Sequence, residues 1–180
     1  SRFGKYTEMW MDSLDNSIVG ASIETYLLEK TRVVSQEKNE RNYHAFYQLL
    51  KGAPAEVLSA FKLDSFAHDP DKLHYIGQSG CVAVDGIDDK ADYEEVVQAF
   101  EVLGFSQEER MNLEQVLAAV LLLGNLAYEE DDHDGDKCHM TEDGEDLLDH
   151  VAELIGVGTS PLHTAMLNKK VQRGGNKRAS

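Results

Sequence analysis

Small and apolar residues run almost unbroken through Ile18-Val19-Gly20-Ala21 to Tyr26-Leu27-Leu28, and a shorter aromatic-rich segment, Tyr6 to Asp12, precedes them. The residues between, Asp12-Ser13-Leu14-Asp15-Asn16-Ser17, are turn formers, so the pair predicts a β-hairpin. Its second segment lacks strict polar alternation, the pattern of a strand covered on both faces. A lone two-stranded hairpin is marginal in water, so the pattern calls for further strands beside it.

From Asn39 onward the period becomes helical. Tyr43, Phe46, Tyr47 and Leu50 fall on one stripe, with Asn39 placed as N-cap and Gly52 as stop. At that spacing the aromatic stripe is core and not a ligand platform, and His44 lies off it on a polar face. Asp88 to Leu103 repeats the pattern through Tyr93, Val96, Val97, Phe100 and Leu103, with acids in front and Gly104 behind. Ser106-Gln107-Glu108-Glu109 has capping-box spacing and opens a helix whose run from Val116 to Leu123 is expected to be buried. Gly144 to Ile155, and a short helix with Ser160 as N-cap and Pro161 at its first position, complete the set. The prediction is a mixed α/β chain, predominantly α-helical, with an N-terminal β-hairpin followed by about five helices.

Composition narrows the class. A chain of 180 residues with 42% apolar residues, 3 Pro and 14 Gly is sized and composed for one globular domain or part of one. Its longest apolar run stops at Gly124-Asn125, short of the ~20 residues a membrane span needs, so no direct membrane insertion is expected. No leader pattern is visible, and Cys81 and Cys138 stand far apart, which favours reduced thiols and a cytoplasmic setting. The chain opens on Ser1-Arg2-Phe3-Gly4-Lys5-Tyr6 without an initiator methionine, and is expected to be a piece of a larger protein.

A net charge of -16 argues against a nucleic-acid surface. The charge is uneven: Glu129 to Asp136 is almost wholly acidic, whereas Asn168 to Arg178 carries only basic charge, which points to a local acidic partner. The acidic stretch has a superficial calcium pattern, with Glu130, Asp132, Asp134 and Gly135 at positions 1, 3, 5 and 6 of an EF-hand. Thr141 occupies position 12, where a glutamate is required, so a solvated turn is expected instead. His133, Cys138 and His139 lack the second ligand pair of a structural zinc site. No nucleophile-base-acid set and no glycine-rich phosphate loop occurs in the sequence.

Five segments in order and in register resemble the motor domain of myosins. Ser1-Arg2-Phe3-Gly4-Lys5 resembles the second half of the switch I loop. Ile18-Val19-Gly20-Ala21 through Tyr26-Leu27-Leu28-Glu29-Lys30-Thr31-Arg32-Val33 is similar to the strand segment that follows it, with Thr31 where Ser is commoner. Glu40 to Leu50 is similar to the ERNYHxFYQLL helix, Gly86-Ile87-Asp88-Asp89 with Tyr93 to the GIDDxxxY element, and Gly104-Phe105-Ser106 with Leu121 to Leu126 to the GFS and LHLGN elements. Trp10 and Met11 depart from the usual Phe or Ile, and the acidic loop is unusually charged.

The resemblance implies a hairpin belonging to the central sheet of a P-loop motor ATPase, with a chain divided into 1–34 (switch I end and hairpin), 35–167 (helical actin-binding subdomain) and 168–180 (basic actin-facing loop). It implies ATP and Mg²⁺ as cofactors of the complete motor and the actin filament as partner, with light chains or calmodulin reached only through a neck outside this chain. Ser1 would give its hydroxyl to the ATP-bound Mg²⁺, and Arg2 would pair with a switch II glutamate when the site closes. Phe3 would anchor the nucleotide loop and Gly4 would permit its close turn, while Lys5 takes no assigned role. Lys169, Lys170, Arg173, Lys177 and Arg178 would face actin, and Ser180, after Lys177-Arg178-Ala179, is a candidate phosphate acceptor. Cytoskeleton association follows, as does inactivity and poor solubility of the chain by itself. The alternative is a self-contained acidic, α-rich interaction domain without nucleotide chemistry.

Overall fold

The computed structural model describes residues 3–131 and 134–168. Its first element is the expected hairpin, β1 (Phe3–Met11) antiparallel to β2 (Ile18–Leu28). The turn between them is held locally: Asp12 Oδ1 accepts from Leu14 N at 2.7 Å, Asp15 Oδ1 accepts from Ser17 N at 2.9 Å, and Asn16 adopts φ 57°. Asparagine tolerates that left-handed backbone and aspartate caps such turns, which is why this short segment reverses the chain. Trp10, Val19, Ile23, Tyr26 and Leu27 are all more than half exposed. The apolar residues of this hairpin thus meet solvent on both faces, as a strand pair drawn from a larger sheet would.

After a 3₁₀ turn at Lys30–Val33 the chain is mostly helical. The five helices read from periodicity are present as α1 (His44–Gly52), α5 (Asp89–Val102), α6 (Gln107–Leu123), α7 (Glu142–Leu154) and α8 (Thr159–Leu167). Between α1 and α5 stand three short ones, α2 (Ala55–Ala60), α3 (Asp64–His68) and α4 (His74–Gly77), each too short to show a period in sequence. The capping box at the head of α6 is formed in both directions: Ser106 Oγ accepts from Glu109 N, and Glu109 accepts from Ser106 N at 2.8 Å.

Three helix starts differ from expectation. Asn39 sits at φ 65° and donates its N–H to Ser79 O, so α1 begins later, with Tyr43 as N-cap and Asn42 Oδ1 accepting from Tyr43 N at 2.8 Å. Thr141 caps α7 through Gly144 N, so the helix begins at Glu142, two residues ahead of the expected Gly144 start. Gly158, not Ser160, caps α8, which places Pro161 in the third helical position.

The acidic stretch is also more ordered than a solvated turn. It forms a second hairpin, β3 (Tyr128–Asp131) with β4 (Asp134–Met140), pairing Tyr128 with Met140, Glu129 with His139 and Glu130 with Cys138. Asp132 and His133 lie outside the described residues.

The main core joins the helices, and a smaller cluster of Leu126, Met140 and Leu148 lies beneath the second hairpin. Phe46, Tyr47, Leu49 and Leu50 of α1 pack with Leu63, Leu73, Ile76, Leu121, Leu122 and Val151, all nearly inaccessible to solvent. The apolar run of α6 is buried only on one side, with Ala118, Ala119, Leu121 and Leu122 inside and Val116 half exposed. Glycines set two of the contacts. A Cβ at Gly52 would stand 2.3 Å from Tyr93 Cβ, and one at Gly124 would stand 2.8 Å from the Tyr75 ring. Among the described residues no helix is long and apolar enough to cross a membrane.

Candidate functional site

Ser1 and Arg2 lie outside the described residues, which begin where the switch-like motif enters β1. Phe3 is the first residue of that strand, opposite Leu28, and Gly4 stands opposite Leu27. The ladder register slips between Gly4 and Lys5. Gly4 therefore belongs to a strand and not to a tight turn. What its missing side chain admits is Tyr26, whose ring Cζ would be 2.6 Å from a Cβ at that position. Since Tyr26 is 74% exposed, that ring can swing aside, and the requirement for glycine is mild.

The end of the hairpin that carries this motif is fastened to the helical body by an ionic cluster around the buried Arg32. Glu29 follows Leu28 directly. Arg32 Nε donates to Glu29 Oε2 at 2.7 Å, Arg32 Nη2 reaches Glu40 Oε2 at 2.9 Å, and Arg32 Nη1 donates to the Arg41 carbonyl at 3.1 Å. The hydrogen bond to Glu29 is the largest influence raising the Arg32 pKa above its ordinary value, with burial acting the other way. Tyr43 Oη donates to the Glu29 carbonyl at 2.8 Å. Asn42 Nδ2 bridges the carbonyls of Val33 and Tyr75, at 2.9 and 2.8 Å, and Gln78 Nε2 donates to Val34 O at 2.9 Å.

The next arginine extends the cluster. Arg41 Nη2 donates to both carboxylate oxygens of Asp89, the first residue of α5, at 2.7 and 2.8 Å. Its guanidinium lies over the Tyr47 ring, 3.7 Å from the centroid, which offsets part of the cost of burying it. Tyr47 in turn accepts from Asn42 N at 2.9 Å, and burial pushes its phenol pKa up.

A second buried charge cluster ties α5 to α6. Tyr93 Oη donates to Glu114 Oε1 at 2.8 Å, and Arg110 Nη1 donates to both Tyr93 Oη and that same carboxylate. Burial, then the neighbouring carboxylate, pushes the Tyr93 phenol up to about 12.

At the other end of the chain α8 closes with Asn168 Nδ2 donating to Thr164 O. Lys169, Lys170, Arg173, Lys177, Arg178 and Ser180 follow it and lie outside the described residues. Of the metal candidates, Cys138 and His139 are exposed on β4, with His139 Nε2 3.6 Å from Glu129. Among the described residues no three His, Cys, Asp or Glu side chains are placed to hold a metal ion.

A family model for the myosin head (motor domain) matches residues 1–179. The chain belongs to the myosin head family. It is 40% identical over 179 residues to Myosin-1 of Coccidioides immitis, covering 98% of this chain and 14% of that protein. It is 36% identical over 174 residues to the Myosin ID heavy chain of Dictyostelium discoideum, covering 97% and 15%, and 39% identical over 179 residues to Myosin-B/C of Toxoplasma gondii, with the same coverage. The chain thus spans about one-seventh of the length of these relatives. Within the myosin-like segments, sequence reasoning assigned roles to the switch and tail residues and passed over Arg32, Arg41, Asn42 and Asp89. The available signal was four charged residues, Glu29, Arg32, Glu40 and Arg41, at the borders of otherwise apolar segments.

Proposed function

We propose that this chain supplies part of the nucleotide switch and part of the actin-facing surface of an ATP-hydrolysing cytoskeletal motor. The match to the myosin head over nearly the whole chain carries this reading, and a hairpin apolar on both faces supports it. Segment 1–34 is then the switch end and central-sheet hairpin, 35–167 the helical body and 168–180 the actin-facing loop, in a cytoplasmic, cytoskeleton-associated protein.

The donor chemistry suits MgATP. The Ser1 hydroxyl is a hard oxygen ligand for Mg²⁺, and Arg2 offers a planar fork for a carboxylate that closes the site. The nucleotide brings the phosphoryl group to be hydrolysed, and these residues orient and enclose it. With the phosphate cradle and the closing carboxylate supplied from outside, the isolated chain is expected to show no MgATP turnover above ~0.1 per second. In the complete motor, Arg2→Ala is expected to lower turnover by about 100-fold or more, the scale of losing one preorganised electrostatic contact; unchanged turnover would refute the switch assignment. Replacing Lys169, Lys170, Arg173, Lys177 and Arg178 with alanine is expected to weaken actin binding at low salt, where exposed charges are least screened. Unaltered cosedimentation would remove the actin assignment.

A further inference from the structure

The ladder register brings Phe3 and Gly4, the described start of β1, next to the ionic cluster. Phe3, which follows Arg2, is paired with Leu28, and Leu28 is bonded to Glu29. From Glu29 the contacts continue without a gap: Glu29 to Arg32 at 2.7 Å, Arg32 to Glu40 at 2.9 Å and to the Arg41 carbonyl at 3.1 Å, and Arg41 to Asp89 of α5 at 2.7 Å. The side chains of Arg32 and Arg41 are each 5% exposed. A buried charge that loses its partner is strongly unfavourable, so elements linked this way move together or change partners in discrete steps.

We propose that Arg32 is a positioning residue that couples the nucleotide switch at Ser1-Lys5 to the helical body carrying the actin-facing loop. The proposal rests on the switch assignment made above. Arg32 touches neither nucleotide nor actin in this scheme; it fixes how the mouth of the hairpin is oriented against α1 and α5. Arginine suits the position because its rigid fork serves Glu29, Glu40 and a carbonyl at once, from three separate nitrogens. Lysine would keep the charge and lose the span.

Coupling between two sites is a free energy, read as the ratio of actin affinities with and without MgATP. In the complete motor, Arg32→Lys is expected to compress that ratio by about fivefold or more, the lower end of site-to-site couplings, while nucleotide-free actin affinity stays within about twofold of wild type. Glu40→Gln, at a partly exposed carboxylate that water can solvate, is expected to shift the ratio the same way and serves if the arginine variants fold poorly. Two results would overturn the proposal: a wild-type ratio in both variants, or both affinities falling in step, as a merely structural defect would produce. Arg2→Ala run in parallel separates the premises. Lost turnover in Arg2→Ala with an unchanged ratio in the Arg32 and Glu40 variants overturns the coupling alone, whereas full turnover in Arg2→Ala overturns the switch assignment and this proposal with it.

Discussion

Replacing Tyr93 by phenylalanine removes a single oxygen from the contact between α5 and α6. That oxygen donates to Glu114 Oε1 at 2.8 Å and accepts from Arg110 Nη1 at 2.9 Å, with Tyr93 and Glu114 both 6% exposed. The other carboxylate oxygen, Glu114 Oε2, is buried with no hydrogen-bond partner among the described residues, so the group has no spare donor to turn to. Nor does helix α6 supply much by itself. Arg110 precedes Glu114 by four residues, the less favourable order for such a pair along a helix. A hydrogen bond to a charged acceptor contributes about 1.5–3 kcal/mol, so Tyr93→Phe should raise the opening equilibrium of this region about 10- to 150-fold. Amide hydrogen exchange followed by mass spectrometry reads this directly, by comparing peptides from Gln107–Leu123 with those from Thr159–Leu167 in the same digest. The measurement is local, so it applies to the chain alone or within a complete motor. Exchange in α6 accelerated by less than about twofold would mean that the triad contributes little, against the asymmetry expected for buried charges. Glu114→Ala should cost more, about 3–5 kcal/mol in total, because it leaves the Arg110 charge unpaired.

Two further outcomes can be checked. An exposed phenol ionises near pH 10 and Tyr93 in the fold near about 12, so stability present below pH 10 should be lost as pH rises toward about 12, since the unfolded chain gives up that proton first. Burial raises the Tyr47 and Tyr128 pKa values in the same direction, so Tyr93→Phe should make the alkaline loss shallower without abolishing it, as followed by circular dichroism; an unaltered profile would contradict the assignment. Gly52→Ala should lower the urea midpoint by an amount worth about 1–3 kcal/mol, because the new Cβ meets Tyr93 at its own Cβ, 2.3 Å away, where no side-chain rotation relieves the clash. A midpoint within error of wild type would show that α1 and α5 can separate freely.

Legibility in the sequence followed the length of each element. The long helices α5 and α6 carry a full apolar period and explicit caps, and the capping box at Ser106 and Glu109 forms as its spacing requires. Helices α2, α3 and α4 have six residues or fewer, so tertiary packing around Leu63, Leu73 and Ile76 decides them and no local pattern could reveal them. β3 and β4 were hidden for a different reason. Acidic residues disfavour strands in isolation, yet Tyr128 and Met140 pair across the ladder, with Met140 buried beside Leu126 and Leu148. The candidate site divides the same way. Family motifs pointed to Ser1, Arg2 and the basic tail, and of the hydrogen bonds and ion pairs made by the Arg32 and Arg41 side chains only Arg32 with Glu29, three positions apart, follows a local spacing; the others lie 8, 9 and 48 positions away, where no spacing rule connects them.

Among the described residues the first hairpin is tied to the helical body by the cluster around Glu29, while its turn at Asp12–Ser17 lies at the other end of both strands. Eleven strand residues reach about 36 Å, so β2 carries its exposed apolar residues Val19, Ile23 and Leu27 along most of that length. Strands laid along those residues would stiffen the hairpin from the side, and the charges around Arg32 would then mark the seam where that sheet meets the helices.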